Sequence, residues 1–418
     1  MVETGYIQLL KRFSEIPDPR GDLGKRHRLD EVLFIALVGL LAGANDAEGM
    51  VRFAKANLLW LKGFLELEHG IPSHDTVLRL LAVISTALIE GVLRAWVQAL
   101  RSMCGEEPAE CWHLGVDGKT LRGSFDKASG SKALHSVSAY LSRLGVSLGQ
   151  VVVAEKTNEI TAIPDLLKAL NIKGATVTID AMGCQRDIAQ VIIAGQAHYM
   201  LQVKENQKAL LLGCEQTAAE VARKRPAGET KPPSETYREV DKGHGRIETR
   251  SCTLMADLSH IENRSAWAGL TKIAVIARER HHVLSGKTSK ELAYFIVSDS
   301  KATAKTALHT ARSHWAIENG SHWVLDVSYA EDKQRVRDRN AAEALGILRR
   351  ISAGLINQAV GDRMSGHGLR QICGWDPPVL LRVLAGEKIS TPAKRRTLDP
   401  KRPRVPEAVG FKRALSKQ

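Results

Sequence analysis

Cysteine is scarce and unpatterned in this 418-residue chain. The six, Cys104, Cys111, Cys184, Cys214, Cys252 and Cys373, include no C-x-x-C pair. Metal-finger and disulfide frameworks are therefore disfavoured, and a reducing cytoplasm is the expected location. A long apolar run is missing too. The longest, Val32 to Ala44, is too short for a membrane span, follows a charged segment and lacks the form of a signal peptide. No membrane partner is expected. Internal repeats are absent. So is a phosphate-cradling loop: "GKT" at 118–120 would need a glycine at 113, where His113 stands.

Positive charge is what the chain has in excess, a net +13 over an ordinary 44% apolar and 25% charged background. Such an excess attracts polyanions over a Debye length. Nucleic acid is thus favoured as partner over the plainer reading, a basic protein kept soluble by its charge. The end of the chain, "TPAKRRTLDPKRPRVPEAVGFKRALSKQ", reads as an extended basic arm.

The length calls for two or three structural units. Residues 1–105 read as a helical N-terminal domain, with Asp30 and Ser73 as candidate caps. Its helix pairs suit either DNA reading by a helix-turn-helix or simple core packing. Residues 106–204 alternate as strand, two-strand hairpin around "SRLG", helix, strand, helix, strand, which implies a mixed sheet flanked by helices. Residues 205–300 read as a β-rich insertion, with strands at "RIETRSCTLMA", "TKIAVIARER" and "ELAYFIVSDS" around the polar, Pro-rich "RKRPAGETKPPSET". Residues 301–360 return to helix, first Ala302 to about Leu325, and 361–418 form the basic tail.

Two strands of the middle region end on aspartate: "CWHLGVDG" on Asp117 and "ATVTIDA" on Asp180. If the strands are neighbours, both carboxylates leave one edge of the sheet and repel. Mg²⁺ or Mn²⁺ would remove that conflict, and a pair of ions suits phosphoryl transfer. Singly, Asp117 could be an Asp-Gly turn former and Asp180 a helix cap. The two together, in this order of elements, favour a metal site. Lys119 is open between a DNA-phosphate contact and a solvated turn lysine. A third acid, Glu318, lies on the long helix with His314 one turn before it and His322 one turn after, and Asp326 extends that face. Zinc is disfavoured, since one helix face cannot easily wrap a tetrahedral ion.

The pieces "FSEIPDPR", "VDGKTLRGS", "KTNEITAIPDLL", "VTIDAMGCQ", "YMLQVKENQ" and "HWAIENGSHWVLDVSYAEDKQRVR" follow one another over most of the chain. In them the chain resembles DDE transposases of bacterial insertion sequences, specifically the As-one group within the class that carries a β-strand insertion. The resemblance implies an α/β fold with an RNase H-like core, and Asp117, Asp180 and Glu318 as catalytic, metal-binding triad for two Mg²⁺ or Mn²⁺ ions. It also implies cleavage at the ends of an insertion sequence and joining of the 3′-hydroxyl to target DNA. The implied partners are double-stranded DNA (terminal inverted repeats and target) and a second copy of the chain on that DNA, in a bacterial cytoplasm near the nucleoid.

One departure stands out. The broader class carries tyrosine, arginine and lysine at set spacings around the glutamate, where this chain has Ala311, His314 and Leu325. DNA contacts are therefore expected from Lys119, Arg122, Lys204, Arg312, His314, Lys333, Arg335 and Arg337. Two other functions fit the same residues: a nuclease that cuts without strand transfer, and a domesticated DNA-binding protein with an unused triad.

Overall fold

The computed structural model describes residues 5–21, 25–103, 112–125, 130, 132–153, 159–223, 234–243 and 245–390. Six helices come first: α1 (Gly5–Ser14), α2 (Leu29–Leu41), α3 (Ala47–Ala56), α4 (Leu58–Leu61), α5 (His74–Val83) and α6 (Thr86–Met103). Every residue of α2 from Val32 to Leu41 is buried, as a helix apolar on all sides must be. Asp30 is not its cap. The helix starts at Leu29, and Asp30 sits in the first turn, where a carboxylate favours the dipole, 2.8 Å from Arg28. Ser73 does cap α5, accepting from the Thr76 N–H. No single helix among the described residues is long and apolar enough to cross a membrane.

Nine strands build one mixed sheet: β1 (His113–Leu121), β2 (Leu134–Leu141), β3 (Val146–Val153), β4 (Thr176–Ile179), β5 (His198–Val203), β6 (Ser234–Gly243), β7 (Arg246–Met255), β8 (Lys272–His282) and β9 (Thr288–Val297). The spatial order is β3-β2-β1-β4-β5-β9-β8-β7-β6. β1, β2 and β3 are antiparallel neighbours, while β1, β4 and β5 run parallel. Helices α7 (Glu159–Ala169) and α8 (Arg186–Ala194) lie in the segments that lead to β4 and β5. The turn between β2 and β3 uses Gly145 at φ +66, where a side chain would be strained.

The stretch read as an insertion does not stand apart from this sheet. It opens with a helix, α9 (Lys208–Ala222), and its last strand pairs antiparallel with β5, so its four strands prolong the central sheet. β6, unforeseen in the sequence, is an edge strand whose residues are nearly all exposed or half-exposed, so no apolar alternation marks it. Five helices complete the described chain: α10 (Ala304–Ile317), α11 (Trp323–Val327), α12 (Arg339–Ala359) and, after residue 361, α13 (Gly366–Trp375) and α14 (Pro377–Leu384). The last two correct the expectation of a tail from 361. Leu369, Cys373, Leu380, Val383 and Leu384 are buried, and Arg370 closes the end of α2 through the carbonyls of Leu40 and Ala44, each at 2.7 Å. The arm expected from 391 onward lies outside the described residues.

α12 is the joint of the molecule, packed against α2, α5 and α6 on one side and β3 on the other. Beside it lies a buried ionic knot. Glu331 is fully buried and receives Lys119 of β1 at 2.6 Å and Arg350 of α12 at 3.3 Å. Lys119 also donates to Asp326 at 2.5 Å. Burial alone would raise the Glu331 carboxyl, but the charges of Arg350, Lys119 and Arg349 overcome it and pull it down to about 2. A second tie is Glu90 of α6, which accepts the Gln150 N–H of β3 at 2.6 Å. There burial wins and pushes the carboxyl up from 4.5 to about 7, against the hydrogen bond from Gln150.

Two stability measurements follow. Lys119→Met leaves Glu331 buried with one fewer cation and should cost about 3–5 kcal/mol in urea unfolding; adding Glu331→Gln should recover part of it. A simple sum of the two single losses would contradict a shared knot. Glu90, raised in the fold, contributes stability that is present below pH 4.5 and is lost as pH rises through about 7. Glu90→Gln should therefore stabilise the protein by up to about 3 kcal/mol near pH ~8 and change little near pH ~4. Equal effects at both would show that the carboxyl does not titrate as described.

Candidate active site

The parallel ladder between β1 and β4 ends with Val116 opposite Ile179. Asp117 and Asp180 are the next residues on those two strands, so they stand side by side where the pairing stops. Asp180 then leaves the sheet and caps a short 3₁₀ turn, Ala181–Gly183, accepting from the Gly183 N–H. Asp117 does not end its strand. β1 continues to Leu121, with Asp117 opposite Ser138 of β2. Gly118 is accordingly not a turn residue: a Cβ there would lie 2.5 Å from Glu159 Oε1 and 2.7 Å from His135 Nε2. The buried His135–Glu159 pair occupies that space. Neither residue stood out in the sequence, because they are separated along the chain and only the fold joins them.

Electrostatics set Asp117 apart. Burial pushes its carboxyl up to about 7; the Gly118 N–H opposes this, while the charges of Asp180, Glu318 and Glu159 reinforce it. The Nδ1 of His322 lies 3.4 Å from Asp117 Oδ2. Burial, with the charges of Arg350 and Lys119, pushes that imidazole down to about 3. It therefore stands neutral beside the acid near pH ~7.

Glu318 comes from the other side. α10 lies over β1 and β4, with buried Ile317 3.6 Å from where a Gly115 side chain would begin. His314 Nδ1 meets Thr178 Oγ1 at 2.9 Å; the same oxygen lies 2.7 Å from His113 Nε2, and His113 Nδ1 lies 2.7 Å from Ser142. This polar relay pins the helix to the sheet one turn before Glu318. The helix then changes winding: residues Glu318–His322 form a π segment before α11 resumes. The expected continuous face of His314, Glu318, His322 and Asp326 is thereby broken. Instead Gly320 abuts the Tyr140 hydroxyl, 2.7 Å from where a Cβ would sit, His322 meets Asp117, and Asp326 meets Lys119. Such wide turns are rare and recur at functional sites.

Asp180 and Glu318 line a cleft of about 680 Å³ between α10 and strands β7 and β8. Among the described residues, no three His, Cys, Asp or Glu side chains are drawn together closely enough to hold a metal ion as they stand. The donor set nonetheless fits a hard divalent cation. All three are carboxylates, and the charges of Asp180 and Glu318 already disfavour ionised Asp117.

The expected DNA contacts divide. Lys119 is neither a phosphate ligand nor a solvated lysine: it is 7% exposed and committed to Asp326 and Glu331. His314 is held by Thr178, and burial lowers its pKa, so it offers no cation to a phosphate. Arg337 is exposed but donates to the carbonyls of Gly123 and Phe125 at 2.8 and 2.6 Å. Arg312 is engaged by Glu239 and Asp241 and lines the cleft. Lys204 is exposed and lines the cleft, while Lys333 and Arg335 are exposed elsewhere. Arg122 is 82% exposed and 3.7 Å from Asp332.

The chain is similar to known proteins over most of its length. Residues 112–355 match the family described as "Transposase DDE domain", and residues 10–97 match "DDE_Tnp_1-associated". The "H repeat-associated putative transposase YhhI" of Escherichia coli K12 is 34% identical over 391 residues, 92% of this chain and 99% of its own. The "Putative transposase YncI" of Escherichia coli O157:H7 is 35% identical over 350 residues, covering 83% and 87%. A solved piggyBac transposase synaptic complex with hairpin DNA overlaps 94% of this chain and 88% of its own at 10% identity, with a TM-score of 0.37. By the family match and the near full-length relatives, this chain belongs to the DDE transposases of the bacterial insertion-sequence type.

Proposed function

We propose that the protein cuts DNA at the ends of its insertion sequence and joins the freed 3′-hydroxyl to target DNA, with Asp117, Asp180 and Glu318 as the metal-binding triad. The observation that carries this reading is the side-by-side position of Asp117 and Asp180 at the end of the β1–β4 ladder, with the Glu318 charge acting on the same site. The strand order β3-β2-β1-β4-β5, antiparallel then parallel, supports an RNase H-like core. Membership of the family supports DNA as substrate and a divalent cation as cofactor.

Asp117, Asp180 and Glu318 would hold the cations. Two magnesium or manganese ions, when bound, would activate the attacking oxygen and stabilise the leaving one. The chain's own part is placement. Asp117 is fixed by its strand and by the Gly118 N–H at 2.8 Å. Neutral His322 adds no charge that would compete with a cation for Asp117. The Thr178 relay holds α10, and therefore Glu318, against the sheet. Nothing in this chemistry needs a covalent enzyme intermediate, so no Ser, Tyr or Cys nucleophile is assigned. A dimer on two DNA ends fits the joining of two ends in one event.

The test is a supercoiled plasmid carrying the element's terminal repeats, incubated with Mn²⁺ and target DNA. Wild type should give joined products. Asp117→Asn, Asp180→Asn and Glu318→Gln should each lower product about a thousandfold, the scale of a lost transition-state contact of ~4 kcal/mol, while still binding the repeats. Nicks without joining would indicate the nuclease, and binding alone the domesticated protein. Full activity in any of the three variants would exclude that residue from the triad.

A further inference from the structure

The cleft that receives Asp180 and Glu318 has a second wall, and its chemistry is unlike that of the first. β7 and β8 alternate side chains across the sheet, so residues two apart share a face. Arg246, Glu248 and Arg250 share one face of β7. In the register, Glu248 lies opposite Arg280 and Arg250 opposite Arg278, which adds both β8 arginines to that face. All five line the cleft. The side chain of Glu248 is only 5% exposed and lies within ion-pair distance of all four arginines. Arg250 approaches it at 2.8 Å, Arg280 at 3.3 Å, and Arg246 and Arg278 at 3.8 Å.

One buried carboxylate cannot neutralise four guanidinium groups. Among the described residues, Glu291, paired with Arg278, is the only other acid lining the cleft apart from the candidate triad members Asp180 and Glu318. Arg250 also reaches Asp241 at 2.5 Å and Glu239 at 3.6 Å, both outside the lining. Lys204 brings further positive charge to the rim, while Arg312 there is engaged by Glu239 and Asp241. Arg278 has its guanidinium over the Trp315 ring, 4.5 Å from the centroid, which fixes its plane. A cationic wall held stiff by a buried acid, across the cleft from the acids, matches an anionic chain lying between them. Planar guanidinium groups are the residue type best fitted to phosphate oxygens.

We propose that the β7–β8 face is a phosphate cradle that lays the DNA backbone against the catalytic acids, and that Glu248 is its positioning residue. The proposal rests on the reading of the protein as a DNA-cutting enzyme, but binding and chemistry are separable. Glu248 gathers the arginines; it does not itself touch DNA.

The sign of one substitution makes the test sharp. Glu248→Gln removes a negative charge from the DNA-facing wall. Bulk electrostatics alone predicts tighter binding. The cradle predicts binding weakened several-fold, because the arginines lose their common anchor, with Glu248→Asp recovering part of the loss. The probe is a fluorescein-labelled duplex of random sequence, titrated with the full-length protein in EDTA across a range of salt. Arg278→Ala with Arg280→Ala should flatten the slope of log affinity against log salt by about 1.8, since each lost phosphate contact removes about 0.9. Arg246→Ala, 42% exposed and therefore tolerable to the fold, should flatten it by about 0.9. Urea unfolding checks that each variant is folded. Unchanged slopes in the folded arginine variants would overturn the cradle, and tighter binding by Glu248→Gln would overturn the role of Glu248. Either result would leave plasmid cutting and joining by the wild type intact. Absence of joining by the wild type, with flattened slopes in the arginine variants, would instead remove the enzymatic reading and keep the cradle.

Discussion

A carboxylate with no access to water holds the two halves of the site in one frame. Glu331 lies between β1 and α12, and it is tolerable there only because Lys119 and Arg350 bring charge to it. Lys119 is two residues from Asp117 on the same strand. Asp326, its other partner, follows the π segment that bears Glu318. The knot thus ties the strand of one candidate acid to the helix of another, and both to the helix that anchors the N-terminal region. A buried ionic group is costly, and hydrophobic residues could fill such a space. Its contribution here is geometric: the charges can be satisfied only when all three elements are in place.

Around that frame the acids are arranged to disagree. Asp117 is half-buried, side by side with Asp180, and feels Glu318; its proton is held up to about 7. A site like this is less stable empty than its fold could be. Strain of this kind is expected where binding of a cation is part of the function. The π winding at Glu318–His322 belongs to the same economy of position, because it separates the directions of Glu318, His322 and Asp326 that a regular helix would have stacked on one face.

Much of this was legible in the sequence, and the misses have physical causes. Asp117 and Asp180 could be paired because apolar runs mark their strands and small residues follow them. What could not be read was that Gly118 is a strand residue. Its need for no side chain comes from His135 and Glu159, and in sequence the same glycine looks like a turn. In the sequence Lys119 reads equally as a phosphate contact or a solvated turn lysine, because both its partners are more than 200 residues away. β6 escaped because an exposed edge strand needs no apolar face. α13 and α14 were hidden by the basic composition that follows them, although Leu369 with Cys373, and Leu380 with Leu384, stand at helical spacing. The arginines of β7 and β8 went unremarked for a related reason: only the cross-strand register gathers them around Glu248. Local periodicity is readable; partnerships made by the fold are not.

The central claim is that Asp117, Asp180 and Glu318 together hold divalent cations. Crystals grown with Mn²⁺ and examined by anomalous scattering put that claim to its most direct trial. The account predicts manganese peaks at the three carboxylates, at the end of the β1–β4 ladder. Peaks confined to other sites, with these three acids left without metal, would contradict it.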